Sequence, residues 1–273
     1  MDERHVFIIS DRTGITAETL SHSLLTQFPS IRFVTIALPF VDTVAKVDDA
    51  IRQIDKIARQ SNGKPLVFTT FVDDEHRQQL MSANGVFFDF FDTFIGPLER
   101  EFKIESSHSA GRTHGMVDVA RYTSRISAVN FSVQCDDGIH TGDYDRAVLV
   151  LLGVSRSGKT PTCLYLALHF GIYAANYPLT EEDFAFDDFA SALRMNRGKL
   201  FGLTIDPIRL QQIRQERRRD GRYSQLRQCR YEVAQAEALY RRQGIPYIDA
   251  TSMSIEEIST TIIHRMKLHR DPY

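Results

Sequence analysis

Short apolar runs alternate with amphipathic stretches through the first third of the chain. His5-Val-Phe-Ile-Ile-Ser10 reads as a buried strand that ends in the turn Asp11-Arg-Thr-Gly14. From Ile15 to Phe28, the residues Ile15, Leu20, Leu24 and Phe28 recur at helical spacing, which predicts one apolar helix face, with Thr16 as the candidate cap. The alternation goes on with a strand over Ile31–Leu38, a polar helix over Thr43–Gln60, a strand over Pro65–Val72, a helix over Asp74–Ala83 and an apolar run Val86–Phe91. Strands that alternate with helices imply crossover units and a largely parallel sheet covered on both faces.

The pattern changes between Asp92 and Gly115. Gly96-Pro97, scattered charges and Ser106-Ser-His-Ser-Ala-Gly111 read as a connector crossing the surface. Beyond it the spacing predicts strands at Val129–Val133, Ala147–Leu152, Leu200–Ile205 and Pro246–Ile248, interleaved with helices at Lys159–Phe170, Pro207–Arg218, Ser224–Gln243 and Ser254–His269. The fold class is therefore α/β: an N-terminal parallel-sheet domain over 1–105 and a second, kinase-like α/β domain over 106–273. A length of 273 residues allows two domains, because a single core stops growing at about 250–300 residues.

Composition narrows the functions open to such a chain. With 42% hydrophobic and 25% charged residues it has the balance of a folded protein. A formal net charge of −2 supplies no global field for nucleic acid or an anionic membrane, so neither is expected as a partner. Cys135, Cys163 and Cys229 are far apart and form no C-x-x-C pair, which suggests neither a disulfide framework nor a zinc site. The start, Met1-Asp-Glu-Arg-His5, has acids where a secretory leader would be basic, and Ala147–Val154 is too short to span a bilayer. The expected compartment is the cytoplasm.

The chemistry concentrates at Gly153-Val154-Ser155-Arg156-Ser157-Gly158-Lys159-Thr160, which matches G-x-x-x-x-G-K-[ST] at every fixed position. An apolar strand precedes it and a helix follows, as a phosphate-binding loop requires. The glycines allow a tight turn whose N–H groups meet phosphate oxygens, and the new helix adds its positive end. Lys159, expected as a surface-directed charge, would reach the β or terminal phosphate, and Thr160 would offer its hydroxyl to magnesium. Pro161 fits the first helical turn, where its missing N–H costs no bond.

A nucleotide-using transferase also needs an acid to hold magnesium or accept a proton. Asp143 and Asp145 precede the loop's strand and would sit near its mouth if the Gly142 turn folds back. With Lys159 they form the expected catalytic set. Asp206 and Asp249 end apolar strands and compete for the same role, although each also suits a turn or cap. Asp136-Asp137-Gly138 reads as a turn and stays outside the set. Arg214, Arg217, Arg218, Arg219 and Arg222 form the densest basic stretch, open to reading either as a phosphate-covering lid or as a solvated helix end. Ser10-Asp-Arg-Thr-Gly14 has the outline of a second anion site, and His108 and His114 lie in the connector.

Gly153-Val-Ser-Arg-Ser-Gly-Lys-Thr-Pro-Thr162, continued by Leu164-Tyr-Leu-Ala167 and Ala175-Asn-Tyr-Pro178, closely resembles the bacterial phosphoenolpyruvate synthase regulatory proteins, as does the opening Val6–Leu20. The resemblance implies a bifunctional enzyme. It implies transfer of a phosphoryl group from ADP to a threonine of phosphoenolpyruvate synthase, and removal of that group by inorganic phosphate with release of pyrophosphate, with magnesium as a possible cofactor. A homodimer is expected. A sister group acts on pyruvate phosphate dikinase, and its loop more often has Ser at the position of Gly158. An ATP-dependent small-metabolite kinase and a nucleotide-sensing module without chemistry are the rival readings.

Overall fold

The computed structural model describes residues 3–61, 63–106, 119–185, 191–217 and 221–269. The chain divides into two compact units, Met1–Val117 and Asp118–Tyr273. In the first, strands β1 (Glu3–Ser10), β2 (Arg32–Leu38), β3 (Leu66–Thr70) and β4 (Val86–Asp89) form a parallel sheet in the order β2-β1-β3-β4. Helices α1 (Ile15–Leu25), α2 (Val44–Gln60), α3 (Asp74–Leu80) and α4 (Phe90–Phe102) connect and follow these strands. One core forms where Phe7, Ile9 and Val67 meet Val47, Ala50 and Ile54 of α2; another packs Val6, Ile8 and Phe68 with Ala17 and Phe90. Thr43 caps α2 by accepting the Lys46 N–H, as a β-region hydroxyl residue before a helix does.

The second unit opens with α5 (Val119–Gln134) and contains β5 (Leu149–Gly153), α6 (Lys159–Phe170), β6 (Ala174–Pro178), α7 (Glu181–Ala185), α8 (Ser191–Met195), β7 (Leu200–Thr204), α9 (Pro207–Arg217), α10 (Leu226–Gln243), β8 (Tyr247–Asp249) and α11 (Ile255–Met266). Its sheet is also parallel, in the order β6-β5-β7-β8. Every residue of β5 and of β7 is buried, as expected of central parallel strands covered on both faces. The chain leaves β5 toward β6 and then returns to its other side as β7, so the carboxyl end of β5 is the topological switch point, where sheets of this kind bind ligands. Ser254 and Glu257 close a reciprocal capping box at the start of α11.

Three local expectations change. Val129–Val133 lies inside helix α5, not in a strand: Ala128, Phe131, Ser132 and Cys135 are buried at spacings of three, four and seven, a helical period that the alternation of Val129, Phe131 and Val133 masks. The segment read as a connector from Asp92 begins with helix α4, which accommodates Pro97 in its interior. Helix α1 is present, but its N-cap is Gly14, with Thr16 inside the helix, and it buries Ala17 and Ser21 while Ile15, Leu20, Leu24 and, beyond its end, Phe28 stay exposed. The strand β6 gives no apolar run in the sequence and is held by its neighbour β5. His108 and His114 lie outside the described residues, as do Arg218 and Arg219.

Candidate functional site

The loop Gly153–Thr160 begins as the last residue of β5 and ends in the first turn of α6. Its two glycines are required for different reasons. A side chain at Gly153 would place Cβ 2.6 Å from Ser157 Oγ and 2.9 Å from the Leu203 carbonyl oxygen, closer than any real contact. Gly158 has φ +91°, a backbone that L side chains rarely adopt, and it stands at the N-cap of α6 with no side chain to occupy the helix's first N–H groups. Arg156 also lies in the left-handed region, at φ 77°. Ser157 Oγ is buried without a hydrogen-bond partner. A non-glycine residue held at positive φ and an orphaned buried hydroxyl both fit a loop whose polar groups are arranged for a ligand.

Lys159 is buried, at 5% exposure, and is not the surface-directed charge expected. Its ammonium donates to the Val154 carbonyl oxygen at 3.0 Å, inside the loop it belongs to. Burial pushes its pKa down to about 8, against the pull of Asp137, Cys163 and Asp136. A phosphate entering the loop would supply the counter-charge that this lysine lacks.

Asp136 and Asp137 share the cavity with Ser155, Arg156, Gly158, Lys159, Thr160, Pro161 and Arg217; its volume is about 500 Å³. They sit in a short 3₁₀ turn after α5. Thr160 Oγ1 donates to Asp136 Oδ1 at 2.9 Å. Asn176, fully buried on β6, donates Nδ2 to the same Asp136 oxygen and lies 3.2 Å from Thr160 Oγ1, while its Oδ1 accepts the Asp137 backbone N–H at 3.2 Å. One buried amide therefore sets the loop threonine and both aspartates against each other. Asp137 remains exposed within the cavity.

The model of the kinase/pyrophosphorylase family matches residues 6–263. The chain belongs to this family. A relative in Halorhodospira halophila is 55% identical over 270 residues, covering 98% of each chain, and one in Alkalilimnicola ehrlichii is 54% identical over 270 residues, covering 99% of this chain and 98% of that one. A third, in Legionella pneumophila, is 50% identical over 268 residues, covering 98% and 99%. All three are provisionally named phosphoenolpyruvate synthase regulatory proteins. Membership of the kinase/pyrophosphorylase family makes the chain a phosphotransferase. No helix among the described residues is long and apolar enough to cross a membrane.

Against this family's loop, the expected carboxylates fall in different places. Asp143 and Asp145 do not line the cavity. Lys199, just ahead of β7, donates to the Tyr144 and Asp145 carbonyl oxygens at 3.2 and 2.6 Å, which holds this segment at the amino end of the sheet. The Gly142 turn does not fold back over the loop. Asp206 caps α9 by accepting the N–H groups of Ile208 and Arg209, and Asp249 accepts the Thr251 N–H at 2.9 Å. Both serve as turn and cap residues.

The basic stretch splits. Arg214 is fully buried, Arg222 pairs with Glu181 at 2.8 Å, and Arg217 alone of the described three lines the cavity. No cluster of three or more His, Cys, Asp or Glu able to hold a metal occurs among the described residues. A magnesium site here would consist of Asp136, Thr160, water and phosphate oxygens, a mixture typical of this hard cation. The residues that sequence reasoning missed are Asp136, Asp137 and Asn176. The acids were visible as a turn; nothing local showed that the turn abuts β6.

Proposed function

We propose that the chain is an ADP-dependent protein serine/threonine kinase and phosphate-dependent phosphorylase acting on phosphoenolpyruvate synthase in the cytoplasm. The carrying observation is that Lys159, Thr160, Asp136 and Asp137 meet in one cavity at the switch point of the second sheet. The relatives' names support the synthase as target, and Gly158 in the loop favours it over pyruvate phosphate dikinase.

In the forward direction the loop holds the β-phosphoryl group of ADP, and the target threonine oxygen attacks its phosphorus as the bond to the bridging oxygen breaks and AMP leaves. Asp137, exposed in the cavity, is the carboxylate available to take the hydroxyl proton. Asp136, already bonded to Thr160, is the carboxylate on the metal side. Magnesium, when bound by Thr160 and Asp136, supplies charge neutralisation on the phosphate oxygens. In the reverse direction inorganic phosphate occupies the same loop and attacks phosphothreonine, which releases pyrophosphate and the free hydroxyl. The transition state for phosphoryl transfer is loose, so positioning and charge neutralisation supply most of the rate.

The test is to incubate the protein with purified synthase and ADP labelled in the β-phosphoryl group, and to weigh the synthase by mass spectrometry. One labelled phosphoryl group on a threonine is the expected result, and its loss with pyrophosphate release when inorganic phosphate is added. Transfer from ATP but not from highly purified ADP would refute the donor. Transfer to the dikinase but not to the synthase would refute the target.

A further inference from the structure

Arg214 is the largest fully enclosed side chain among the described residues, and none of the chemistry above uses it. Its guanidinium donates to Glu232 at 2.6 Å, to the Tyr223 carbonyl at 3.0 Å and to the Ser155 carbonyl at 3.1 Å. It also lies 4.2 Å over the Tyr223 ring. Tyr223 in turn places its hydroxyl 3.0 Å from Ser155 Oγ. Two coupled contacts thus converge on a single residue of the loop, one on its carbonyl and one on its side chain. A buried ion pair of this kind gives little net stability compared with an apolar replacement, so its presence calls for another reason.

Peptide geometry supplies the reason. Across a trans peptide the carbonyl and the following N–H point in opposite directions. A guanidinium that holds the Ser155 carbonyl therefore turns the Arg156 N–H away from Arg214, and Ser155 and Arg156 both line the cavity. Arg156 at φ 77° would not hold this conformation unaided. We infer that Arg214, seated by Glu232 and Tyr223, is a positioning residue that orients the Ser155–Arg156 peptide so that its N–H meets phosphate. The inference rests on the reading of the loop as a phosphate site. It makes α9 part of the loop's support, with Arg217, one turn further on, delivered to the cavity by the same helix.

Titration calorimetry on the full chain with ADP and, separately, with inorganic pyrophosphate tests this. Arg214→Lys retains the charge beside Glu232 but has a single ammonium where the guanidinium fork reaches three oxygen acceptors. It should weaken both ligands by the same factor, about tenfold, the scale of one hydrogen bond to a charged group. A residue that only stabilised the fold would lower the melting temperature and leave the affinity of the folded protein alone. Unchanged affinity for both ligands in folded Arg214→Lys overturns the inference, and so does a loss confined to ADP, which would move the defect to the nucleoside. If Arg214→Lys does not fold, Glu232→Gln, which weakens the seat of the guanidinium without touching the loop, decides: a loss of about two- to threefold for both ligands supports the positioning role, and unchanged affinities refute it. Lys159→Ala separates the two readings. Normal pyrophosphate binding in Lys159→Ala would show that the loop is not the phosphate site at all, whereas lost binding there beside normal binding in Arg214→Lys would remove only the positioning role.

Discussion

Replacing Lys159 with Met should make the ligand-free protein more stable while removing its grip on phosphate. The lysine is 5% exposed, and burial lowers its pKa from 10.5 to about 8, so at pH 7 the folded state carries a charge it would rather release. At about 1.4 kcal/mol per pH unit that penalty is roughly 3 kcal/mol. Met fills similar space without charge but leaves the Val154 carbonyl without the 3.0 Å bond it now accepts, an offset of about 1 kcal/mol. The balance is about 2 kcal/mol in favour of the variant, or about 4–8 °C in the thermal midpoint of a chain this size. The sign has a pH signature. Because the folded pKa lies below the unfolded one, the unfolded state binds more protons between about pH 8 and 10.5, and the wild-type protein recovers stability as pH rises through that window. The advantage of Lys159→Met should therefore be full at pH 7 and nearly gone at pH 10. Scanning calorimetry with and without ADP measures all of this. At 100 times its Kd, ADP should stabilise the wild type by about 2.7 kcal/mol, and the variant not at all. A midpoint for Lys159→Met at or below wild type at pH 7, or an advantage undiminished at pH 10, would refute the buried-charge account; a surviving response to ADP would refute the lysine's role in the loop.

Asp136→Asn and Asp137→Asn should each lower the transfer rate by roughly 10² or more, with Asp136→Asn also shifting the magnesium dependence, whereas Asp143→Asn and Asp145→Asn should keep most of it in a single-turnover assay. ADP affinity should fall as pH rises above about 8, approaching tenfold per pH unit, because binding must then return a proton to Lys159; calorimetry in two buffers of different ionisation enthalpy should show the proton uptake, and a flat profile from pH 7 to 10 would count against it. Gly202→Ala should cost about 1–3 kcal/mol in urea unfolding, since its Cβ would lie 2.8 Å from the Tyr240 ring and from Tyr247 Cβ; a midpoint equal to wild type would show that the β7 surroundings yield more easily than a packed core should.

Local signals in the chain were enough for the α/β class, for most strands and helices, and for the strand, turn and helix that carry the Gly153–Thr160 motif. The reason is physical: a strand, a glycine turn and a helix N-terminus are adjacent in sequence, so the groups proposed to cradle phosphate lie within Gly153–Thr160. The carboxylates beside it are a different matter. Asp136 is separated from Thr160 by the whole of β5, and the residue that joins them, Asn176, comes from a strand with no apolar run of its own. Asp143 and Asp145 are nearer in sequence but belong to the opposite end of the same strand. Arg214, one member of a basic run open to reading as a lid or as a solvated helix end, is instead the largest fully buried side chain among the described residues, because Glu232 and Tyr223 arrive from later in the chain to receive it. What the sequence determined alone was therefore whatever depends on neighbours within a few positions, namely the order of most strands and helices and the strand, glycine turn and helix of Gly153–Thr160. Which acids face that loop, and which arginine supports it, depends on parallel pairing across the sheet, and only the tertiary structure decided that.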